Sequence, residues 1–291
     1  MKPLKIVVLA KQVPDTRNVG PDAMKPDGTV NRAALPAIFN PDDLNALELA
    51  LQIKDKAPGT EVIILTMGPK RAADVIREGL FRGADKGIMV SDRRFGGADT
   101  LATSYTLAMA IKKIANADLV IGGVQAIDGD TAQTGPQTAE KINIPQVTYV
   151  EKLMELGDKH ITVKRRLEKG VETVKAPFPV LLTVAGSFDE CRARNAKRLL
   201  KYKYARTQTE LAREKDFIVD LVNNKDYLNI PEWNVEDINA DPQKIGLPGS
   251  PTKVKDVQNI VLTVKESKVL DNKQESIDVM IKDLIEAHII G

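Results

Sequence analysis

Short apolar runs alternate with amphipathic stretches through the first 185 residues, and this alternation constrains the fold more than any other feature of the chain. The runs have the length of buried strands, and the stretches between them carry apolar residues at helical spacing. Such alternation predicts an α/β fold with a doubly wound, mostly parallel sheet and helices on both faces. The predicted strands span 4–10, 61–66, 86–90, 118–121, 146–149 and 180–184, and the predicted helices span 42–56, 71–81, 100–115 and 132–142.

The chain changes character after residue 185. A hairpin around Lys169-Gly170 is predicted just before this point. Residues 192–206 then contain seven Lys or Arg and no acidic residue, and 276–290 has the apolar spacing of an amphipathic helix.

The tail has few residues with which to build a core of its own. We therefore expect an extended C-terminal arm that packs on another subunit, and a small helical subdomain on the same chain is the alternative. The predicted segments are 1–185, an adenine-nucleotide or flavin-binding domain, 186–206, a basic loop, and 207–291, the arm with its terminal helix.

The composition excludes several kinds of chemistry. The single cysteine, Cys191, excludes a disulfide within the chain and any zinc or iron–sulfur site built from its own cysteines. Two histidines, His160 and His288, leave little material for histidine catalysis. We therefore assign no catalytic residue and no metal ligand, and we expect a borrowed cofactor, although a plain binding protein fits the same composition.

The net charge and the hydropathy indicate whether the chain could bind nucleic acid or enter a membrane. The net charge of +2 is too small to indicate nucleic-acid binding. No apolar run approaches the roughly 18 residues of a membrane span. The apolar stretch at the N-terminus is too short for a signal peptide and reads as a first buried strand. We expect a cytoplasmic protein without membrane insertion.

The loop at 122–135 is the most informative segment for a ligand site, because ligands bind outside the carboxyl ends of parallel strands. Gly122 and Gly123 let the backbone turn tightly and approach a ligand. Asp128, Asp130 and Thr131 are candidate caps of the following helix, whose first amides would then face an anion. Side chains that could bond sugar hydroxyls or phosphates are Gln125, Gln133 and Thr134.

A capped helix start that faces water explains the same loop, so its spacing alone leaves both interpretations open. The loop matches neither the P-loop pattern nor the dinucleotide-binding glycine pattern. Two more polar loops precede helices, at 95–104 and at 40–43. Asp99 or Thr100 could cap the first helix, and Pro41 with its acidic neighbours suits the first turn of the second. Capping alone would account for both loops.

Taken together, these loops resemble the β subunit of electron-transfer flavoproteins, the family that includes the nitrogen-fixation protein FixA. The resemblance covers nearly the whole chain. Its strongest segments are Lys-Gln-Val-Pro-Asp-Thr at 11–16, Asn-Pro at 40–41, Thr-Met-Gly-Pro at 66–69, Gly-Ala-Asp at 83–85, the loop at 123–135, and Gly-Ser-Pro-Thr at 249–252. If this chain is an ordinary member of the family, the resemblance implies a structural AMP in the β subunit and a redox-active FAD mainly in the α subunit.

A bifurcating subgroup resembles this chain more closely, through Val-Pro-Asp-Thr at 13–16, the loop at 97–104 and the C-terminal extension. The resemblance implies FAD in place of AMP, NADH as electron donor, and an electron pair divided between ferredoxin and a higher-potential acceptor. NADH oxidation would be expected only in complex with the α subunit and a dehydrogenase. The expected cofactor-binding residues are Ala10, Val13, Asp15, Asn40, Asp43, Thr66, Met67, Gly68, Asp99, Thr100, Thr103, Gly123, Gln125, Ala126, Asp128, Gly129, Asp130, Thr131, Ala132, Gln133 and Thr134.

In the family, the segment that corresponds to residues 186–203 forms a recognition loop. The resemblance therefore implies docking on a flavoprotein dehydrogenase of the acyl-CoA type, which often occurs through a large aliphatic anchor. Here the anchor position is Ala196, set among Arg192, Arg194, Lys197 and Arg198. Docking through charge, a 2-hydroxyacid dehydrogenase as partner, and a simply solvated basic face all stay open.

Two further alternatives remain for the function as a whole. One is a non-bifurcating β subunit that holds AMP. The other is a free-standing ATP-binding protein, against which the long tail, the 97–104 loop and the basic segment argue.

Overall fold

The strands of the fold form one large sheet and two small ones. The computed structural model describes residues 2–15, 35–252, 269–287 and 289–290. Within them the strands are β1 (Lys5–Leu9), β2 (Gln12–Pro14), β3 (Ala37–Phe39), β4 (Glu61–Met67), β5 (Lys86–Val90), β6 (Leu119–Gly123), β7 (Gln146–Leu156), β8 (His160–Leu167), β9 (Gly170–Pro177), β10 (Val180–Val184), β11 (Arg206–Thr207), β12 (Asn229–Ile230) and β13 (Glu232–Trp233).

Helices connect most of these strands. The described α-helices are α1 (Pro41–Lys56), α2 (Ala73–Arg82), α3 (Thr100–Ile114), α4 (Thr134–Ile142), α5 (Ala196–Tyr202), α6 (Gln208–Leu211), α7 (Asp216–Asn223) and α8 (Gln274–Glu286). Short 3-10 turns lie at Lys70–Ala72, Arg93–Phe95, Asp226–Leu228 and Pro242–Lys244. In the described part of the chain, no helix has both the length and the apolar composition that crossing a membrane requires.

The large sheet has nine strands in the order β13-β5-β4-β1-β6-β10-β7-β8-β9. Every pair from β13 to β7 is parallel, and β7-β8-β9 is antiparallel. The chain moves from β1 to β4 and β5 on one side, then returns to β6 on the other side of β1. This confirms the predicted doubly wound, mostly parallel sheet and the predicted hairpin.

The sheet is covered on both faces because alternate residues of a strand point to opposite faces. Ile6 and Val8 of β1 pack in one core with residues of α1 and α2. Val7 and Leu9 pack in a second core, which contains Leu107 of α3 and residues of α4. Strands buried on both sides are near-continuous apolar runs, which is why their positions were predictable from the sequence.

Residues 207–252 pack on this chain's own sheet. Ile218 of α7 and Ile230 of β12 are buried in the first core, and Val235 and Ile245 are buried in the second. β13 pairs in parallel with β5 and extends the sheet edge. This part of the tail therefore follows the alternative of a subdomain on the same chain.

The terminal helix α8 is amphipathic, as predicted, and it buries no residue. Its apolar side chains Ile277, Met280, Ile281 and Ile285 are exposed. Packing of 269–290 on a partner subunit stays a prediction. Residues 253–268, which belong to the predicted arm, and His288 lie outside the described residues, as does Thr16 of the first family motif.

If 207–252 folds together with the sheet, shortening a buried tail side chain should destabilise the whole domain. We expect Ile230→Ala to lower the free energy of unfolding by about 2–4 kcal/mol, because it leaves a cavity in the first core. Leu200→Ala, at a side chain that is 66% exposed, should change it by less than about 0.5 kcal/mol. Denaturant unfolding of both variants measures these changes. Equally small changes in the free energy of unfolding would contradict a core shared by residues 207–252 and the sheet.

Candidate functional site

The chain reverses direction across the sheet between β1 and β6, and the space outside the carboxyl ends of these two strands is the crevice of this kind of fold. β4 and β5 lie on one side of β1 and β6 lies on the other, so the loops after β1 and β6 diverge there. Open α/β sheets bind ligands at such a switch point. The segments that surround it are the end of β1, the end of β4, the N-terminus of α1 and the loop at 124–133.

The carboxylate of Asp43 joins the two strand ends. Its Oδ2 accepts the backbone N–H of Lys11 at 2.8 Å, and its Oδ1 accepts the backbone N–H of Gly123 at 3.0 Å. Asp43 is buried at the start of α1. Burial raises the pKa of Asp43 to about 7, although the bonds from Lys11 and Gly123 act in the opposite direction. One side chain thus fixes the spacing of the crevice walls.

Asn40 holds the loop that covers the crevice. Its Nδ2 donates to the carbonyl of Gln125 at 2.8 Å, and its Oδ1 accepts the N–H of Ile127 at 3.2 Å. The backbone N–H of Asn40 donates to the carbonyl of Lys11 at 3.0 Å. Pro41 stands in the first turn of α1 as predicted. The side chains of Asn40 and Asp43, however, bond to the neighbouring loops, so capping alone does not account for this segment.

The loop at 124–133 is a compact turn. The N–H groups of Gly129 and Asp130 both donate to the carbonyl of Ala126, and Gln125 Nε2 donates to the Asp130 carboxylate at 3.0 Å. Asp130 and Ala132 have left-handed backbones, with φ of 50° and 52°. A side chain at Gly129 would meet no other atom within 4 Å, so the loop is open to solvent there.

The predicted caps of the helix after this loop are wrong. α4 begins at Thr134, and the residue before it, Gln133, makes no side-chain capping bond. The carboxylate of Asp128 instead pairs with Lys11 Nζ at 2.7 Å, while Thr131 is exposed. Local sequence made these residues look like caps, but long-range and turn contacts engage both carboxylates.

The two glycines at the end of β6 differ in how closely the rest of the chain packs against them. A Cβ at Gly123 would lie 2.6 Å from the backbone carbonyl carbon of Asp42. A Cβ at Gly122 would meet only Leu9, at an ordinary 3.5 Å. Gly123 is therefore required by the close approach of α1, and its contact with a ligand stays a prediction.

The loop at 95–104 lies beside the start of α4. Asp99 caps α3 by accepting the N–H of Ala102 at 3.0 Å, as predicted. The Thr100 hydroxyl lies 3.2 Å from Gln133 Oε1 and joins the two helix starts. Thr103, one turn further along, is half-buried, and its N–H donates to the carbonyl of Asp99. Two loops that are far apart in sequence thus form one rim.

The tail supports Asp99 from outside the sheet. Ser250 Oγ accepts the N–H of Asp99 at 2.9 Å, and the hydroxyl of Thr252 donates to Asp99 Oδ2 at 2.7 Å. Partial burial raises the pKa of Asp99, but the bonds from Ala102 and Thr252 outweigh it and leave the pKa below its usual range. Sequence reasoning missed these supports, although the Gly-Ser-Pro-Thr motif at 249–252 marked them.

The remaining expected residues lie at the ends of β1 and β4. Ala10 donates its N–H to the carbonyl of Leu65 at 3.0 Å, and Gly68 donates to the carbonyl of Val90. Val13 and Asp15 are buried, in and just after β2, and Met67 ends β4. Thr66 is fully buried, and its hydroxyl has no hydrogen-bond partner among the described residues.

The arginines of the predicted docking segment contact this chain's own helices. Arg192 pairs with Glu48 at 2.9 Å and with Asp55, and Arg194 pairs with Glu78. Arg198 donates to the carbonyls of Leu80 and Ala84. Ala196 begins α5, and both it and Lys197 are exposed. A docking role for this segment stays a prediction.

Comparison with known proteins decides the family. The electron transfer flavoprotein domain matches residues 27–204. The chain belongs to the electron transfer flavoprotein family. It is 41% identical to the electron transfer flavoprotein subunit beta of Megasphaera elsdenii, over 99% of this chain and 100% of that protein. This makes it a β-type member, as the sequence motifs predicted.

Two further relatives of this family are informative. The caffeyl-CoA reductase-Etf complex subunit CarD of Acetobacterium woodii is 45% identical over 86% of each chain. Protein FixA of Sinorhizobium fredii is 39% identical over 87% of this chain and 82% of its own length. The match to the family domain covers the segments that carry Asn40, Asp43 and the loop at 124–133.

Gly122 and Gly123 make a matched pair of positions. We expect Gly123→Ala to lower the free energy of unfolding by about 1–3 kcal/mol, because its Cβ overlaps backbone that cannot move away. Gly122→Ala should change it by less than about 1 kcal/mol. Thermal unfolding of both variants is the measurement, and a larger loss for Gly122→Ala would contradict the packing of α1 on β6.

The raised pKa of Asp43 predicts a pH dependence. Between about pH 4, the pKa of an unfolded aspartate, and pH 7, the folded state keeps a proton that the unfolded state has lost. The contribution of Asp43 to the free energy of unfolding should therefore fall as the pH rises through this window and stay constant above it.

Denaturant unfolding of wild type and Asp43→Asn from pH 5 to pH 8 measures this contribution. The variant should be less stable by about 1–3 kcal/mol, since its amide turns an NH₂ toward a backbone N–H. The difference between the two proteins should shrink toward pH 7. A difference that stays constant from pH 5 to pH 8 would show that Asp43 is an ordinary ionised carboxylate, and Asp158→Asn, in an exposed turn, is the control.

Proposed function

We propose that this chain is the β subunit of a heterodimeric electron-transfer flavoprotein and binds FAD in the crevice between β1 and β6. In this proposal it accepts electrons from NADH and passes them to ferredoxin and to a partner flavoprotein dehydrogenase. The observation that carries the proposal is the joining of both crevice walls and the covering loop to the start of α1, through Asp43 and Asn40. A cradle built in this way suits a ligand that is held in place rather than transformed.

The donor set fits the adenine-nucleotide part of such a cofactor. The buried Thr66 hydroxyl lacks a partner among the described residues, and an unpaired buried hydroxyl at a crevice is a place for a ligand atom. The start of α4 offers helix N-terminal amides to phosphate groups, with the exposed side chains of Thr131 and Gln133 beside it. The open space at Gly129 leaves the loop backbone accessible.

The division of roles follows from these residues. FAD, when bound, would supply the one- and two-electron chemistry. The chain would hold the phosphates at the loop and at the start of α4, and Asn40 would fix the loop. No side chain of this chain would transfer a proton.

The rim around Asp99 supports FAD over AMP. Thr100 contacts Gln133, and the tail fixes Asp99 through Ser250 and Thr252, so the ordered cradle extends beyond the switch point. AMP would need only the first part of this cradle. AMP in the same crevice, in a β subunit that does not bifurcate electrons, is the second candidate.

Partners are proposed from two observations. The exposed apolar side chains of α8, such as Ile277 and Ile281, suit packing on an α subunit. The relative named as a subunit of a caffeyl-CoA reductase complex supports a dehydrogenase acting on CoA esters. A 2-hydroxyacid dehydrogenase remains the alternative partner, and the cytoplasm is the proposed location.

The nucleotide content of the chain purified with its α subunit tests the proposal. Acid extraction and chromatography should release two FAD per heterodimer, and NADH should then reduce ferredoxin when the dehydrogenase is present. Asn40→Ala should lower the content to one FAD, because the covering loop loses both of its bonds to that side chain. Asn224→Ala, in the turn after α7, is the matched control and should keep both.

Other outcomes separate the alternatives. One FAD and one AMP would establish the second candidate in place of bifurcation. A nucleotide-loaded monomer that is stable without an α subunit would contradict the subunit role and favour a free-standing ATP-binding protein.

A further inference from the structure

We infer that Lys11 is the cation that binds the phosphate of the nucleotide, and that Asp128 holds this lysine while the nucleotide is absent. The inference rests on the proposed function, because it concerns the same crevice. It adds a binding residue that was not among the expected cofactor-binding residues, and it gives Asp128 a role opposite to direct cofactor binding.

Lys11 starts from a fixed position. Its N–H donates to Asp43 Oδ2 at 2.8 Å, and its carbonyl accepts the N–H of Asn40 at 3.0 Å. Both backbone groups are therefore held by the start of α1, directly after β1. The side chain alone is free to change partner, and it leaves the backbone at the switch point of the sheet.

Asp128 faces Lys11 from an equally fixed loop. Asn40 bonds the backbone of Gln125 and Ile127 on one side of Asp128, and the Gln125 side chain bonds Asp130 on the other. The two Asp128 oxygens accept from Lys11 Nζ at 2.7 and 2.8 Å. The ion pair thus bridges the mouth of the crevice, from the end of β1 to the covering loop.

The pair is open to exchange. The Lys11 side chain is 48% exposed and that of Asp128 is 22% exposed. An ion pair so accessible to water contributes little to stability, so a second anion displaces it at low cost. A phosphate carries up to two charges and three acceptor oxygens, and it forms stronger charge-assisted bonds than a single solvated carboxylate.

The charges around the crevice require such a cation. Asp42, Asp128 and Asp130 all lie at the start of α1 or in the covering loop. A phosphate that enters among these carboxylates is repelled unless a positive group meets it. Lys70, after β4, is engaged elsewhere, since its Nζ donates to Thr209 and lies near Glu232, whereas Lys11 points across the crevice mouth.

Titration with AMP and with adenosine isolates the phosphate contact, since only AMP carries a phosphate. The titrations use the full chain in complex with its α subunit, after removal of bound nucleotide, and calorimetry gives each affinity. We expect Lys11→Met to weaken AMP binding at least about 10-fold, the usual effect of losing a hydrogen bond to a charged group. Adenosine binding should change less than about 2-fold.

Three further variants sharpen the test. Asp128→Asn should tighten AMP binding by about 3-fold or more, because it frees Lys11 and removes a negative charge without changing shape. Lys11→Arg should retain most of the AMP affinity. Lys169→Met, in the exposed β8–β9 turn far from the crevice, removes the same charge and should leave both affinities unchanged.

Several results would overturn the inference. They are an equal loss of AMP and adenosine binding in Lys11→Met, no loss of either, and weaker AMP binding in Asp128→Asn. A wild-type complex that binds neither AMP nor adenosine would contradict the proposed nucleotide site itself and the inference with it. A wild type that binds both, with AMP binding unaffected by Lys11→Met, would overturn the inference and leave the proposed function standing.

Discussion

The two hydrogen bonds that the Asp43 carboxylate accepts from Lys11 and Gly123 set the geometry on which the rest of the site depends. They join the carboxyl ends of two neighbouring strands at the place where the sheet reverses its direction. Each oxygen of this side chain accepts one N–H, whereas an asparagine of the same size would present an NH₂ donor to one of the two strand ends. Burial of this group raises its pKa, so the geometry is held at an electrostatic cost.

The other contacts of the site build outward from this interaction. α1 approaches β6 closely because position 123 is a glycine, and Asn40 at the same helix start holds the covering loop. Lys11 and Asp128 then face each other across the mouth. A helix start that would ordinarily be filled by local caps is used here to connect three loops, which explains how a chain with few catalytic side chains builds a defined site.

The sheet and its main helices were predictable because strands buried on both faces leave an apolar signature in the sequence. β5 and β10 occur at the predicted residues, and α1 and α3 begin and end within about one residue of the prediction. β11, β12 and β13 were not foreseen, since each has only two residues and no apolar run. The tail looked like an arm because its core residues, such as Ile230, are scattered among charged ones.

The position of the site was predictable from the sequence, but the hydrogen bonds that organise it were not. The loops after β1, β4 and β6 stood out because parallel strands place their carboxyl ends on one edge. The bonds that organise them join residues far apart in sequence, as Asn40 joins Gln125 and Lys11 joins Asp128. Rules based on local sequence predict only helix caps at these positions. They therefore predicted Asp128 and Asp130 as caps of a helix that begins later, at Thr134.

The most direct measurement is a crystal structure of this chain with its proposed α subunit and bound nucleotide. The account predicts phosphate within hydrogen-bond distance of backbone amides of the 125–134 segment and of Lys11 Nζ, with the bonds from Lys11 and Gly123 to Asp43 retained. A nucleotide bound elsewhere on the sheet would contradict it. So would one bound in the crevice after Asp43 had released either strand end.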